Sequence, residues 1–176
     1  ASAIGSVDPD ATYANLAIRG RLLTPILDEQ LPVALDLCPN LVTFYGGGND
    51  IMRPNVNIDR LMVRVDEAFA ALRSQGIEML TITGLNVQGQ GPFSGTRGRT
   101  AIYNELLRGI AEDHGVHVID YWRWNDFIDW RLWAEDRLHM NELGHERFAS
   151  RVLGQLGLSG LVSEPVLPPE AQLSAR

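Results

Sequence analysis

LVTFYGGGND, residues 41–50, changes character halfway along. Residues 41–46 are a continuous apolar run of strand length. The glycines that follow let a backbone turn sharply and approach a ligand closely. Asn49 then presents a side-chain amide at the carboxyl end of the predicted strand, the kind of donor that a developing oxyanion needs. The plainer alternative is a turn into a helix that Asn49 or Asp50 caps. No Lys-Ser/Thr pair follows the glycines, which disfavours a phosphate cradle.

Outward from this stretch the chain alternates regularly. IDRLMVRVDEAFAALRSQG (58–76) predicts an amphipathic helix, with Asp59 as its start signal and Gly76 as its stop. EMLTITG (78–84) predicts a strand, residues 85–98 a long loop, 100–115 a helix, 116–121 a strand and 143–157 a last helix. On the other side, YANLA (13–17) predicts a short buried strand. A helical segment over 21–37 follows, with Pro25 in its first turn and Pro32 kinking or dividing it. Strand alternating with helix at this rhythm means βαβ units, hence an α/β fold with a parallel sheet and helices on both faces. Ligands in such sheets sit beyond the carboxyl ends of the strands. Chemistry is therefore expected just after Ala17, Tyr45, Gly84 and Tyr121. A single domain over 1–176 is expected, with its core at about 13–157 and an irregular Pro-rich tail over 158–176.

Composition narrows the partners. A hydrophobic fraction of 45% with 21% charged residues is that of a globular chain that buries a core. The formal net charge of −7 argues against nucleic acid, because phosphate binding needs a basic face. The lone cysteine, Cys38, excludes an internal disulfide, and its position before Pro39 at a helix end points to ordinary packing. No apolar run reaches the roughly 18 residues of a membrane span. The N-terminal ASAIGSVDPD has no basic region or apolar core, so a cytoplasmic location is the expectation, with an export signal ahead of residue 1 as the alternative.

A second stretch, EDRLHMNELGH (135–145), carries the other half of the chemistry. A histidine shuttles protons only if its second ring nitrogen is held, and a carboxylate on the preceding turn can hold it. The spacing of Asp136 and His139 allows that, and a packed or capping His139 beside a solvated Asp136 is the plainer alternative. A metal set of Asp136, His139 and His145 fits no common zinc spacing. His114 and His117 read as surface and core residues without a catalytic role. Gly20 in NLAIRG offers either a backbone N–H to an oxyanion or an ordinary tight turn. The aromatic run 121–133 reads mostly as packing, with one or two rings reaching the site. Arg53, Arg97 and Arg99 lie in loops at the expected catalytic edge, as anion binders or as solvated charges.

Taken in order, NLAIRG, GGGND and DRLHMNELGH resemble the SGNH (GDSL-type) hydrolase family, from about residue 13 to about 156, with YNELL (103–107) on the family's usual helix. The resemblance implies a three-layer α/β/α, flavodoxin-like fold. It implies Gly20 and Asn49 as oxyanion donors, His139 as the general base and Asp136 as its orienting acid. It also implies hydrolysis of a small-molecule ester through an acyl-serine, with no metal or organic cofactor. The family's opening Gly-Asp-Ser block is not spelled in the residues before Gly20. The first strand is therefore expected to be missing, the chain to be an N-terminally shortened piece, and the nucleophile to be unassigned, with Ser6 the candidate in view. The rival function is an inactive relative that binds acyl or glycan ligands.

Overall fold

The computed structural model describes residues 2–87 and 94–169. In chain order its elements are α1 (Ser2–Gly5), α2 (Leu23–Pro25), α3 (Leu31–Asp36), β1 (Leu41–Phe44), α4 (Gly48–Ile51), α5 (Ile58–Ser74), β2 (Glu78–Ile82), α6 (Arg97–Asp113), β3 (His117–Ile119) and α7 (Glu142–Gln155). The chain separates into two compact units. One is continuous, Asn15–Asn125; the other joins Ala1–Ala14 to Asp126–Arg176. Residues 88–93 of the predicted long loop and 170–176 of the predicted tail lie outside the described residues, and 158–169 are irregular.

The continuous unit carries a three-stranded parallel sheet in the order β1-β2-β3. Leu41 lies opposite Glu78, Phe44 opposite Thr81, and Leu80 opposite His117. Helices α5 and α6 connect successive strands and pack on each other as well as on β2 and β3, respectively. The chain is therefore an α/β protein with a parallel sheet flanked by helices, as its alternation predicts.

The stretch 13–17 is a correction, since it forms no strand among the described residues. Tyr13 is 70% exposed, and the Asn15 side chain takes the Ala17 N–H at 3.0 Å. Strand propensity yields a strand only where a neighbour accepts its ladder bonds, and among the described residues β1 pairs only with β2 and β3 only with β2. The segment 21–37 is divided as Pro32 requires. Between α2 and α3 the backbone widens to a π-helical turn, Ile26–Gln30, where the Leu31 N–H reaches the Ile26 carbonyl. Pro32, next in the ladder, has no N–H to donate, and the change of register falls just before it. Cys38 is exposed at φ +45°, not packed, as the chain leaves the helical region ahead of Pro39.

Helix α5 is capped by Asn57, whose side chain takes the Arg60 N–H at 2.9 Å, while Asp59 sits inside the first turn. Gly76 ends the segment at φ +74°, where a Cβ would be strained. The inner face of α5, including Val65, Phe69 and Leu72, is completely buried in a core shared with Leu23, Phe44, Met79 and Leu107. The Phe69 ring meets Phe44 edge-on at 5.4 Å. Replacing Phe69 with alanine is expected to cost about 3–5 kcal/mol of stability, seen as a lower urea midpoint at unchanged slope. A loss under about 1 kcal/mol would contradict a closed core at this ring.

The second unit is smaller. Phe127, Leu132 and Leu153 are its buried apolar residues, and Phe127 meets Phe148 edge-on at 6.2 Å. Asp126 takes ion pairs from Arg147 and Arg151, both on α7, at 3.3 and 3.0 Å. Among the described residues no helix is long and apolar enough to cross a membrane.

Candidate active site

In the second unit, an antiparallel bridge between Trp133 and Met140 closes a loop that carries Asp136 in its turn and His139 beside the bridge. The Ala134 N–H donates to the His139 carbonyl at 2.7 Å, and the Arg137 N–H to the Ala134 carbonyl at 3.0 Å. Aspartate readily bonds the backbone just ahead of it in such turns. Here Asp136 Oδ1 takes the N–H groups of Leu138 and His139, each at 3.0 Å, leaving Oδ2 to meet His139 Nδ1 at 2.6 Å. One carboxylate thus sets both the backbone and the ring of the histidine. With Nδ1–H donating to Asp136, the other ring nitrogen carries the lone pair that takes a proton.

These bonds hold the Asp136 carboxyl well below the usual carboxylate range, the backbone N–H of His139 foremost, then its imidazole, then the N–H of Leu138. A folded value below the unfolded one means the stabilisation is present above about pH 3.9 and is lost as pH falls through the folded value. In a carbon-detected titration, Asp136 is expected to stay ionised at about pH 3, where an ordinary aspartate is mostly protonated. A midpoint near about 3.9 would show that the turn does not hold it.

The loop is anchored by Asn141. Its side chain caps α7 by taking the Gly144 N–H at 3.0 Å, and donates to the carbonyls of Arg131 and Trp133 at 2.8 and 3.2 Å. Gly144 has to be glycine, since a Cβ there would run into the Leu132 carbonyl.

In the continuous unit, the turn after β1 is built around Gly47 at φ +87°. A Cβ on Gly47 would meet the Tyr103 ring at 2.9 Å, and the Tyr103 hydroxyl donates to the Gly46 carbonyl at 2.6 Å. Burial foremost, with Tyr45 and Asp50 adding, pushes the Tyr103 phenol well above its ordinary value, so it stays a donor. Both residues predicted as possible caps, Asn49 and Asp50, instead lie within α4 and reach the Gly20 turn. Asn49 Nδ2 donates to the Arg21 carbonyl at 2.9 Å, and buried Asp50 accepts the Leu23 N–H at 2.9 Å. Gly20 holds φ +81° in that turn, a region a glycine enters freely. Asn49 and the Gly20 turn are therefore fastened together, and Asn49 keeps a second amide hydrogen beyond the one Arg21 uses. A cavity of about 350 Å³ opens beside α4, lined by Asp50, Arg53, Pro54, Asn55 and Val56.

The structure thus joins Asp136 to His139 in one unit, and Asn49 to the turn of Gly20 in the other. The Ser6 hydroxyl donates to the Ala3 carbonyl at 2.8 Å, in an exposed turn. Arg99 donates to the Arg53 carbonyl, and Arg97 bonds Asn86 at 2.8 Å with its guanidinium 5.8 Å from the Trp122 ring centre. Trp124 is buried against Tyr121, and Trp133 donates to the Phe127 carbonyl at 2.9 Å, both packing roles. His114 meets Asp66 at 2.6 Å, a pairing the sequence does not display.

Asn104 was not foreseen as a support of the site. It is fully buried, taking the Gly84 N–H at 2.7 Å and donating to the Gly84 carbonyl at 3.1 Å, so that the end of β2 is tied to α6. An amide on the apolar face of a helix, next to Tyr103 and before Leu107, was its signal. Thr83 and Asp120 were missed too: Thr83 donates to Asp120 at 3.2 Å and accepts the Trp122 N–H at 2.9 Å.

The same arrangement of elements recurs in solved structures. LAE5, an alpha/beta hydrolase enzyme from the metagenome of Lake Arreo, Spain, superposes with a TM-score of 0.76 at 22% identity, over 92% of this chain and 80% of that one. The W215I variant of Axe2, an acetyl xylan esterase from Geobacillus stearothermophilus, gives 0.76 at 18% identity, over 92% and 81%. The acetyl xylan esterase AlAXEase gives 0.65 at 19% identity, over 79% and 78%. At these identities the likeness is one of fold. A comparison with curated protein sequences returned no match. The model of the GDSL-like lipase/acylhydrolase family matches residues 2–147, spanning the Gly20 turn, the Asn49 turn and the Asp136–His139 loop, and the chain belongs to that family.

Proposed function

We propose that the chain hydrolyses carboxylic esters by transfer of the acyl group to a serine. The observation that carries this reading is the contact at 2.6 Å between Asp136 Oδ2 and His139 Nδ1. It leaves the other ring nitrogen to take the serine proton as the serine oxygen adds to the ester carbonyl. The resulting oxyanion is received by the Gly20 N–H and the Asn49 amide. The proton then passes from His139 to the departing alcohol, and water repeats the cycle to release the acid. The side chains named need no metal or organic cofactor for these steps. The cavity beside α4, one residue from Asn49, suits a small acyl or alcohol group.

The test is hydrolysis of p-nitrophenyl acetate by the chain and its His139→Ala, Ser2→Ala and Ser6→Ala variants. Ser2 opens the region matched to the family, and Ser6 is the candidate from its sequence context. Activity lost in His139→Ala and in one serine variant assigns both groups. Activity lost only in His139→Ala places the nucleophile at another serine. A folded chain without activity removes the nucleophile from these residues. Repeating the assay with additional upstream residues then separates an upstream serine from a module that only binds acyl or glycan ligands.

A further inference from the structure

Arg137 stands in a conformation that arginine enters reluctantly. Its φ is +55°, in the left-handed region where a Cβ crowds the carbonyl that follows. The turn needs that conformation. The chain reverses between Ala134 and Arg137, and the left-handed step at Arg137 turns the next two N–H groups back onto Asp136 Oδ1. A right-handed residue there would carry those N–H groups, and the His139 ring, away from the carboxylate.

Glycine or asparagine would make the same step more easily. The arginine side chain explains why neither is present. Its guanidinium lies 5.2 Å from the centre of the Trp130 ring, and its Nη1 donates to the Trp130 carbonyl at 2.9 Å. Trp130 opens the short 3₁₀ turn Trp130–Leu132, and the carbonyl of Arg131 within that turn is gripped by Asn141 at the start of α7. The side chain therefore straps the tip of the loop to the frame at its base. Arg137 and Trp130 are both exposed, where a cation over an indole contributes modestly and the charge-assisted hydrogen bond adds to it.

We propose that Arg137 is a positioning residue for His139: its strap to Trp130 maintains the left-handed turn that keeps Asp136 on Nδ1, and so leaves the far ring nitrogen as the proton acceptor. Its catalytic meaning rests on the reading of His139 as the proton carrier, but its structural content is measured independently.

The experiment is long-range ¹H–¹⁵N spectroscopy of the histidine rings in the full chain at a pH where they are neutral, with His139 assigned from the His139→Gln spectrum. In the parent chain, the His139 ring is expected in the Nδ1–H tautomer. Arg137→Gly removes the strap while relieving the backbone, so this variant is expected to unfold at the same or higher urea concentration. Its His139 ring should nevertheless shift toward the Nε2–H tautomer. Arg137→Met, which keeps the length without the charge, should do likewise, and Arg137→Lys should restore much of the parent signal. A parent ring already in the Nε2–H form overturns the proposal. So does an Nδ1–H ring unchanged in both Arg137→Gly and Arg137→Met. Where the chain hydrolyses esters, kcat should fall about ten- to a hundredfold in Arg137→Gly with little change in KM. A chain inactive both as given and with upstream residues restored would sink the hydrolase reading and still leave the tautomer to decide this one.

Discussion

His139→Ala is expected to lower kcat for p-nitrophenyl acetate by about four to six orders of magnitude, the scale on which a serine hydrolase loses activity when its base is removed or misset. The size follows from the ring's double duty. In the proposed mechanism it takes the serine proton during attack and returns it to the leaving alcohol, so both transfers fail together. Binding should be affected little, because the proton moves only as the transition state forms. Stability should also hold, since the ring is partly exposed and its removal leaves Asp136 bonded to two backbone N–H groups. An active, folded His139→Ala variant would exclude the proposed base. Asp136→Asn should also be damaging. Its amide can replace one oxygen acceptor but favours the wrong tautomer of the ring.

Asn49→Ala is expected to cost about 2.7–4 kcal/mol of transition-state stabilisation, or about 10²–10³ in kcat. Two losses combine in this substitution. The amide hydrogen that the proposed mechanism assigns to the oxyanion disappears, and so does the bond from Asn49 to the Arg21 carbonyl beside Gly20. Asn49→Asp should be worse still, since it replaces a donor with a negative charge facing the developing oxyanion. Folding should weaken by only about 1 kcal/mol, the worth of one ordinary hydrogen bond. The measurement is kcat and KM across a set of p-nitrophenyl esters. A rise in KM with unchanged kcat would show that Asn49 binds the ground state and is not an oxyanion donor.

The amount of this molecule that its sequence displays depends on how local each interaction is. Asp136 and His139 bond across three positions, and the turn between them is written in their spacing. The helix α5 and the strands after it are legible from apolar periodicity alone. Tyr103 reaches Gly46 from 57 positions away, and Asn104 reaches Gly84 from 20. In the sequence both look like ordinary helix residues, because their partners are set by the packing of α6 against the strand ends. The stretch 13–17 fails for the same reason in reverse. Its composition suits a strand, but pairing belongs to the neighbour as much as to the residues themselves. Asn49 and Asp50 fall between the two cases: residues of cap type were visible, while their use as fasteners to the Gly20 turn needed the fold.

The division into a continuous unit and a discontinuous one also bears on how the protein is born. Residues 15–125 are synthesised before the Asp136 loop, so the sheet and the Asn49 turn precede that loop in the order of translation. The other unit joins residues 1–14 to residues 126–176, a segment made after the whole of the continuous unit. By this order the proposed proton carrier is made after the proposed oxyanion donors Gly20 and Asn49. Under the proposed mechanism the growing polypeptide is chemically silent until the Asp136 loop has been made.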